Sequence, residues 1–386
     1  MRITRIEAIP IQVPLKAGLT TKTSHGEHVV SPYVIVRVHT DRGLEGLGEA
    51  TLSPRWSGEA QHTVHLGPQP IQLRWIFANQ RRRDEPVDGG NTAGTVNPFT
   101  KAAVEMALWD LAGKSAGVPV YQLLGGKARD QLPIKMVIGA FEVSKAVALA
   151  KEFLDWGVMC LKVKVGIDPE QDLQRVGAVR ELAGPNIPIG IDANCGWSVP
   201  QAARMLKQLA EFQILFAEQP IPTNDPMELA ALRRQSDVPI MADESVFTLN
   251  DAWQLTASRA ADILSVYPGK HGGIQATVEV AHVAKAAGID CSMGSNLELG
   301  IGTAAMLHLG TALSSISSER YPGDYIGPLY HVADMLKTPL DLGPATARVP
   351  DGPGLGIELD DDQLEEFRDR TGKARALGST IDETAF

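Results

Sequence analysis

The chain has 386 residues, 44% of them hydrophobic, and a formal net charge of -10. That length exceeds one ordinary core, so a large domain with a smaller companion is expected; the acidic surplus argues against nucleic acid or an anionic membrane as partner and leaves a small anionic substrate open. Cys160, Cys195 and Cys291 are far apart and odd in number, the opening MRITRIEAIP lacks an apolar signal core, and no run approaches the ~20 apolar residues of a membrane helix, which together predict a soluble, cytoplasmic protein with free thiols.

In chain order, Ile3 to Val13, Tyr33 to His39 and Leu44 to Glu49 alternate as a small antiparallel sheet does, the last two around a turn at Asp41-Arg42-Gly43. Between the first two strands runs LKAGLTTKTSHGEHVVSP, a long loop of the kind that serves as a lid. Its His25 and His28 read equally well as exposed histidines or as substrate contacts. Arg81-Arg82-Arg83 beside Asp84 and Glu85 reads as a solvated helix end, and Glu85 to Pro98 as a Gly, Pro and Asn-rich connection. Ala103, Met106, Ala107 and Leu111 then repeat at helical spacing over Lys101 to Lys114.

From about Leu132 the rhythm changes. Short apolar strands are predicted at Ile134 to Ala140, Met159 to Val165, Ile187 to Asp192, Ile214 to Glu218, Ile240 to Ala242, Ile263 to Tyr267 and Ile289 to Met293, with helices between them. So many strand and helix units favour an α/β protein with a closed (β/α) barrel over an open sheet. The tail, with VPDGPGLGIELDDDQLEEF, breaks the rhythm and is expected to return to the N-terminal part.

In such a barrel the polar residues at the C-terminal strand ends converge. In LKVKVG, Lys162 and Lys164 share one face of a strand; this fits a half-exposed strand with two solvated lysines, or two ammoniums facing a barrel centre where one can act as a base. Asp192 ends GIDAN, Glu218 ends LFAEQP and Asp243 follows in IMADES, about one strand-helix unit apart. Three carboxylates that close repel unless a cation sits among them, and an all-oxygen donor set suits Mg²⁺, or Mn²⁺, better than Zn²⁺. Lys164 precedes this set and Lys270, in YPGKHGG, follows it, so the two ammoniums would flank the metal and could handle a proton on either face of a substrate carbon. Cys195 reads as a small filler rather than a nucleophile.

The set KVK, IDAN, EQP, ADES, GKHGG and SNLELGIG, with the earlier WDLAGKSAGVPVYQLLGG, resembles the muconate lactonizing enzyme subgroup of the enolase superfamily over nearly the whole chain. The resemblance implies a modified TIM barrel, (β/α)7β, under an α+β capping domain made from both chain ends, with the cap in residues 1–130, the barrel in 131–320 and a closing segment in 321–386. It implies Asp192, Glu218 and Asp243 as Mg²⁺ ligands, Lys164 and Lys270 as the acid/base pair, and Lys162 as the residue that tunes Lys164 and touches a substrate carboxylate. Asn194 and Glu244 would support the metal shell. Glu298 would lie near the substrate, and His25, His28 and the region of Trp56 would form the lid. Many members of that family carry a lysine where Tyr267 stands, and its dipeptide epimerases carry paired aspartates near the eighth strand where only Asp324 occurs in YPGDYIGP.

The expected function is therefore that of a Mg²⁺-dependent isomerase or lyase acting on a small-molecule carboxylate through an enolate, with cycloisomerisation of a muconate-like diacid as the leading example. Racemisation of an N-substituted amino acid or proline derivative, and dehydration of a hydroxy acid, use the same groups. An inactive barrel serving as a binding protein needs neither carboxylates nor lysines, and a metallohydrolase would place histidines at strand ends, where none stands. The resemblance also implies a homo-oligomer.

Overall fold

The computed structural model describes residues 1–64, 97–222 and 225–369. The basic run at Arg81-Arg82-Arg83 and most of the connection from Glu85 to Pro98 lie outside the described residues. Three strands form the N-terminal sheet: β1 (Ile3–Pro14), β4 (Val30–Thr40) and β5 (Glu45–Thr51), in the order β1-β4-β5 and antiparallel throughout. Between β1 and β4 the predicted lid loop contains a small hairpin, β2 (Thr21–Thr23) paired with β3 (Gly26–His28). Strands of three residues are too short to show an alternating pattern, so they read as loop.

The helix Pro98–Ala116 packs on this sheet at very close range, because Gly46 and Gly48 of β5 leave no side chain in the way. A Cβ on Gly48 would lie 1.8 Å from the Ala103 carbonyl oxygen, and one on Gly46 would lie 2.1 Å from that of Ala107. The first turn of the helix is held by the buried Glu59, whose carboxylate accepts from the Phe99 and Thr100 amides at 3.1 and 2.9 Å. A carboxylate there satisfies orphan donors and suits the positive end of the helix dipole.

After a two-residue strand, β6 (Leu132–Pro133), the parallel sheet follows: β7 (Met136–Ile138), β8 (Leu161–Lys164), β9 (Ile189–Asp192), β10 (Ala217–Glu218), β11 (Ile240–Ala242), β12 (Ile263–Val266) and β13 (Asp290–Met293). The seven strands pair in sequence order, which curls the sheet, and helices such as Val143–Trp156 and Pro169–Ala183 connect them. All seven predicted strands are present, each within a few residues of its predicted ends. The eighth position is an irregular segment rather than a strand. Ile316 bridges Cys291 of β13 and Gly323 bridges Ile134 beside β7, both parallel, so residues 316–324 touch both edges of the sheet. Pro322 has no amide hydrogen to offer a ladder there. The last described residues return to β1, through bonds from the Gln12 amide to the Phe367 carbonyl and from the Asp369 amide to the Pro10 carbonyl. Among the described residues no helix is long and apolar enough to cross a membrane.

His308 ties three segments together. Its Nδ1 accepts from the Tyr121 amide at 3.1 Å and its Nε2–H donates to the Leu355 carbonyl at 3.1 Å, so the neutral ring fits and a cationic one would turn Nδ1–H toward another donor. Burial pushes its pKa down to about 4 from an ordinary 6.5. The unfolded chain then binds a proton that the folded chain refuses, so this residue's contribution is intact above pH 6.5 and is lost as the pH falls toward 4. We expect the stability difference between wild type and His308→Asn, from urea melts, to shrink by about 3 kcal/mol over that window. A difference that stays constant with pH would show that His308 does not titrate on unfolding.

Candidate active site

Parallel register sets the site. Lys164 is the register partner of Asp192, and Asp192 that of Glu218, so the C-terminal residues of β8, β9 and β10 stand side by side. Asp243 comes one residue after β11, and Lys270 lies in the helical turn Pro268–His271 that follows β12. Three carboxylates on neighbouring strand ends are thus flanked by one ammonium on each side.

The charges pair closely. Lys164 donates to Asp192 Oδ2 at 2.5 Å and to Asn194 Oδ1 at 2.9 Å. Lys162, two residues earlier on the same strand, donates to Glu218 Oε2 at 2.9 Å and to Asp324 Oδ2 at 2.7 Å. Lys270 donates to Asp243 Oδ1 at 2.5 Å and to the carbonyls of Asp243 and Ser265 at 2.9 and 2.8 Å. Burial opposes the Lys162 charge, yet Asp324 and Glu218 outweigh it and hold that ammonium charged well above the usual range. Burial also opposes ionisation of Asp192, where Lys164 and Lys162 prevail and depress its pKa. Glu218 goes the other way: burial, then the charge of Asp192, push it up to about 8 against Lys162.

Backbone geometry fixes the second layer. Asn194 and Cys195 both adopt left-handed φ, 43° and 64°. This turn brings the Asn194 amide onto Asp192 Oδ1 at 2.9 Å and its side-chain Nδ2 onto Glu244 Oε1 at 3.0 Å. Gln219, fully buried, accepts from the amides of Asp243 and Ser245 at 3.0 and 3.1 Å and so holds the loop that carries the third carboxylate. Sequence reasoning missed Gln219, although it sits in the EQP motif, and gave Asp324 no part in the charge network.

A cavity of about 150 Å³ opens over these groups. Lys162, Lys164, Asp192, Asn194, Glu218, Asp243 and Glu244 line it, as do His25, His28 and Trp56 from the N-terminal part, so most of the expected residues meet in one place. Three do not reach its wall. Lys270 is fully buried behind Asp243. Glu298 is buried below the loop it organises, accepting from Ser295 Oγ at 2.6 Å and the Asn296 amide, while Ser295, Asn296 and Leu297 form the wall. Tyr267 packs its ring against Trp56, centroids 6.0 Å apart, with Lys270 Nζ 4.9 Å from its own ring centroid. The hairpin β2–β3 closes one side: Ser24 donates to the Asn194 carbonyl at 2.6 Å and His25 Nε2 lies 3.3 Å from Glu244 Oε1.

Among the described residues no three acidic, histidine or cysteine side chains are already drawn together as a metal-holding group, because the lysine ammoniums stand on the carboxylate oxygens. The donor set nonetheless fits a hard divalent cation. Asp192, Glu218 and Asp243 supply oxygen donors from adjacent strand ends, and Glu244 Oε2 beside them is buried with no hydrogen-bond partner. Five carboxylates, counting Glu244 and Asp324, face Lys135, Lys162, Lys164 and Lys270, and burial with the neighbouring anions raises Glu218 and Glu244, a penalty that a bound cation would offset.

A capped, curled parallel sheet with facing lysines and carboxylates at its strand ends defines a barrel enzyme. The chain matches the mandelate racemase / muconate lactonizing enzyme N-terminal domain over residues 5–125 and the enolase C-terminal domain-like family over residues 145–363, and it belongs to that family of the enolase superfamily, whose members here are isomerases, racemases and epimerases. It is 31% identical to the N-succinyl-L-Arg/Lys racemase of Bacillus cereus over 95% of this chain and 98% of that one. It is 34% identical to a chloromuconate cycloisomerase of Cupriavidus pinatubonensis over 90% and 93%, and 32% identical to the L-Ala-D/L-Glu epimerase of Bacillus subtilis over 92% and 97%. The muconate lactonizing enzyme of Pseudomonas fluorescens complexed with muconolactone superposes with a TM-score of 0.86 at 31% identity, over 95% and 99% of the two chains.

Breaking a buried ion pair from one side leaves an uncompensated charge and costs about 3 to 5 kcal/mol. Lys162→Met, which strands Glu218 and leaves Asp324 with Lys135 alone, is therefore expected to lower the unfolding free energy by about 3 kcal/mol in urea melts at pH 7. A loss below about 1 kcal/mol, the range of an exposed ion pair, would show that water screens this cluster.

Proposed function

We propose that the protein is a Mg²⁺-dependent isomerase that makes and quenches the enolate of a carboxylate substrate, racemising or epimerising the carbon next to that carboxylate. The observation that carries this reading is the placement of Lys164 and Lys270 on the two flanks of the Asp192, Glu218 and Asp243 set. A bound Mg²⁺ (Mn²⁺ being the alternative) would be held by these three carboxylates, with Asn194 and Glu244 supporting them, and would supply positive charge opposite the developing enediolate. Lys164, at the cavity wall, takes or returns the proton on one face. Lys270 serves the other once it leaves Asp243. Lys162, pinned between Glu218 and Asp324, stays charged, lends its positive field to Lys164 and faces the substrate carboxylate.

Charge in the cavity favours a monocarboxylate. Among the described residues the ammoniums lining it, Lys162 and Lys164, are each already held by carboxylates and no arginine lines it, so these residues offer a second substrate carboxylate no cation of its own. One observation favours a different reaction: Lys270 sits behind Asp243, which suits chemistry needing a single lysine, such as cycloisomerisation of a muconate-like diacid. The same proposal keeps the cap in residues 1–130 and 321–386 and the barrel in 131–320, with β1 bonded to the chain's return as support. It takes the enzyme as a cytoplasmic homo-oligomer, in line with three free cysteines and a net charge of -10.

Incubation with Mg²⁺ in D₂O and a panel of carboxylates is expected to place deuterium at the α-carbon of at least one N-substituted amino acid, read by proton NMR. Lys164→Ala should abolish that exchange with Mg²⁺ affinity unchanged within a few-fold; full activity in this variant would refute its role. Lys270→Ala separates the two reactions, since a racemase loses turnover while a one-lysine cycloisomerase keeps it. Asp243→Asn should weaken Mg²⁺ binding at least tenfold by calorimetry, and an unchanged isotherm would remove Asp243 from the ligand set.

A further inference from the structure

His28, the last residue of β3, lines the cavity and is held by a run of hydrogen bonds whose proton positions can be counted from one end. At the far end His331, fully buried, places Nδ1 2.8 Å from the Gly327 carbonyl, which can only accept, so Nδ1 carries the hydrogen and Nε2 of the neutral ring is an acceptor. Two hydroxyls lie near that Nε2: Ser31 Oγ at 2.8 Å and Tyr33 Oη at 3.0 Å. The Tyr33 hydroxyl has a nearer partner, the Leu297 carbonyl at 2.6 Å, and gives its single hydrogen there. Ser31 therefore donates to His331. Having spent its hydrogen, Ser31 Oγ can only accept from the group 2.6 Å away on its other side, which is His28 Nε2.

His28 is thereby fixed as the Nε2–H tautomer, and its Nδ1 keeps a free lone pair. Among the described residues Nδ1 has no hydrogen-bond partner, and it is not one of the unpartnered atoms sealed from solvent. Burial, with the neighbouring His331, holds the His28 pKa at about 4, so the ring is neutral near pH 7 and adds no cation to the cavity.

We propose that His28 is a specificity-determining residue that accepts, through Nδ1, the amide N–H of an N-acylated amino acid that carries no second carboxylate. This rests on the enolate reading above and narrows it to a substrate class. A site with a fixed acceptor rewards a donor and disfavours an isostere that presents a second lone pair in its place. An O-acyl 2-hydroxy acid is that isostere, because oxygen replaces N–H and the α-proton remains.

The experiment compares Mg²⁺-supported α-proton exchange in D₂O for N-acetylamino acids and their O-acetyl 2-hydroxy acid counterparts, in wild type and His28→Phe. The amide-to-ester ratio of kcat/KM is expected to be at least about tenfold higher in wild type than in the variant, with the change mainly in KM. Taking this ratio between the two proteins removes the intrinsic difference in α-acidity of the substrates. Exchange with the same ratio in both proteins overturns the role of His28 and leaves the enolate reading standing. No exchange of any pair by wild type overturns both. ¹⁵N NMR of histidine-labelled wild-type protein reads the tautomer directly and decides the matter if the phenylalanine variant does not fold: a protonated Nε2 with bare Nδ1 on His28 is expected, and the reverse overturns the proposal.

Discussion

The site depends on burying opposite charges together. Asp192, Glu218 and Asp324 are each at most 3% exposed, and an isolated carboxylate so placed would protonate rather than stay ionised. Lys162 is the common partner: its ammonium lies 2.9 Å from Glu218, 2.7 Å from Asp324 and 3.7 Å from Asp192. Burial, then the charge of Asp192, drive Glu218 up to about 8 against Lys162, while Asp192, which has Lys164 as well, is driven down. The strand ends are thus held in a balance that pushes Glu218 toward its neutral form, and a divalent cation is the kind of group that would let all three carboxylates ionise.

That balance also explains the tight backbone around it. Charged groups a few tenths of an ångström out of place lose much of their mutual stabilisation in a low-dielectric interior, so their carriers are pinned. Asn194 accepts a left-handed conformation to serve Asp192, Lys164 and Glu244 at once. Gln219, itself at a φ of 34°, spends its carboxamide oxygen on the Asp243 and Ser245 amides. Residues other than glycine at positive φ cost free energy, and here they cluster where the charges must be aimed.

How much of this was legible in the sequence follows from what each feature requires. The seven parallel strands and the carboxylates were legible because strand and helix units repeat at a readable spacing and β8, β9 and β10 end in Lys164, Asp192 and Glu218, with Asp243 one residue past β11. The hairpin β2–β3 was not, since Thr21–Thr23 and Gly26–His28 are held by cap-to-barrel bonds such as the Ala140 amide on the Lys22 carbonyl, which no local pattern encodes. The eighth stave was hidden for a related reason: residues 316–324 make isolated bridges rather than a ladder. Lys270 meets the third carboxylate, and its burial behind Asp243 depends on a helical turn whose direction only the packing determines. Glu298 was expected at the substrate because of its motif; its acceptor capacity goes instead to Ser295 and Asn296.

Reaction and recognition are consequently written at two different levels of this protein. The acid/base groups sit on a parallel sheet whose register is fixed by a long apolar core, so small changes elsewhere leave Lys164, Asp192 and Glu218 neighbours. The cavity's other side comes from the three-residue strands of the hairpin, anchored through Ser24 on the Asn194 carbonyl and through the Ser31 and His331 hydroxyl and imidazole groups. On that side what is presented to a ligand turns on the position of single protons. Loss of the Ser31 hydroxyl would release the His28 tautomer and let an acceptor become a donor, with the sheet and its lysines untouched. A scaffold built this way can change its substrate by altering a few hydrogen bonds in the cap, while the charges that move the proton stay where the strand register put them.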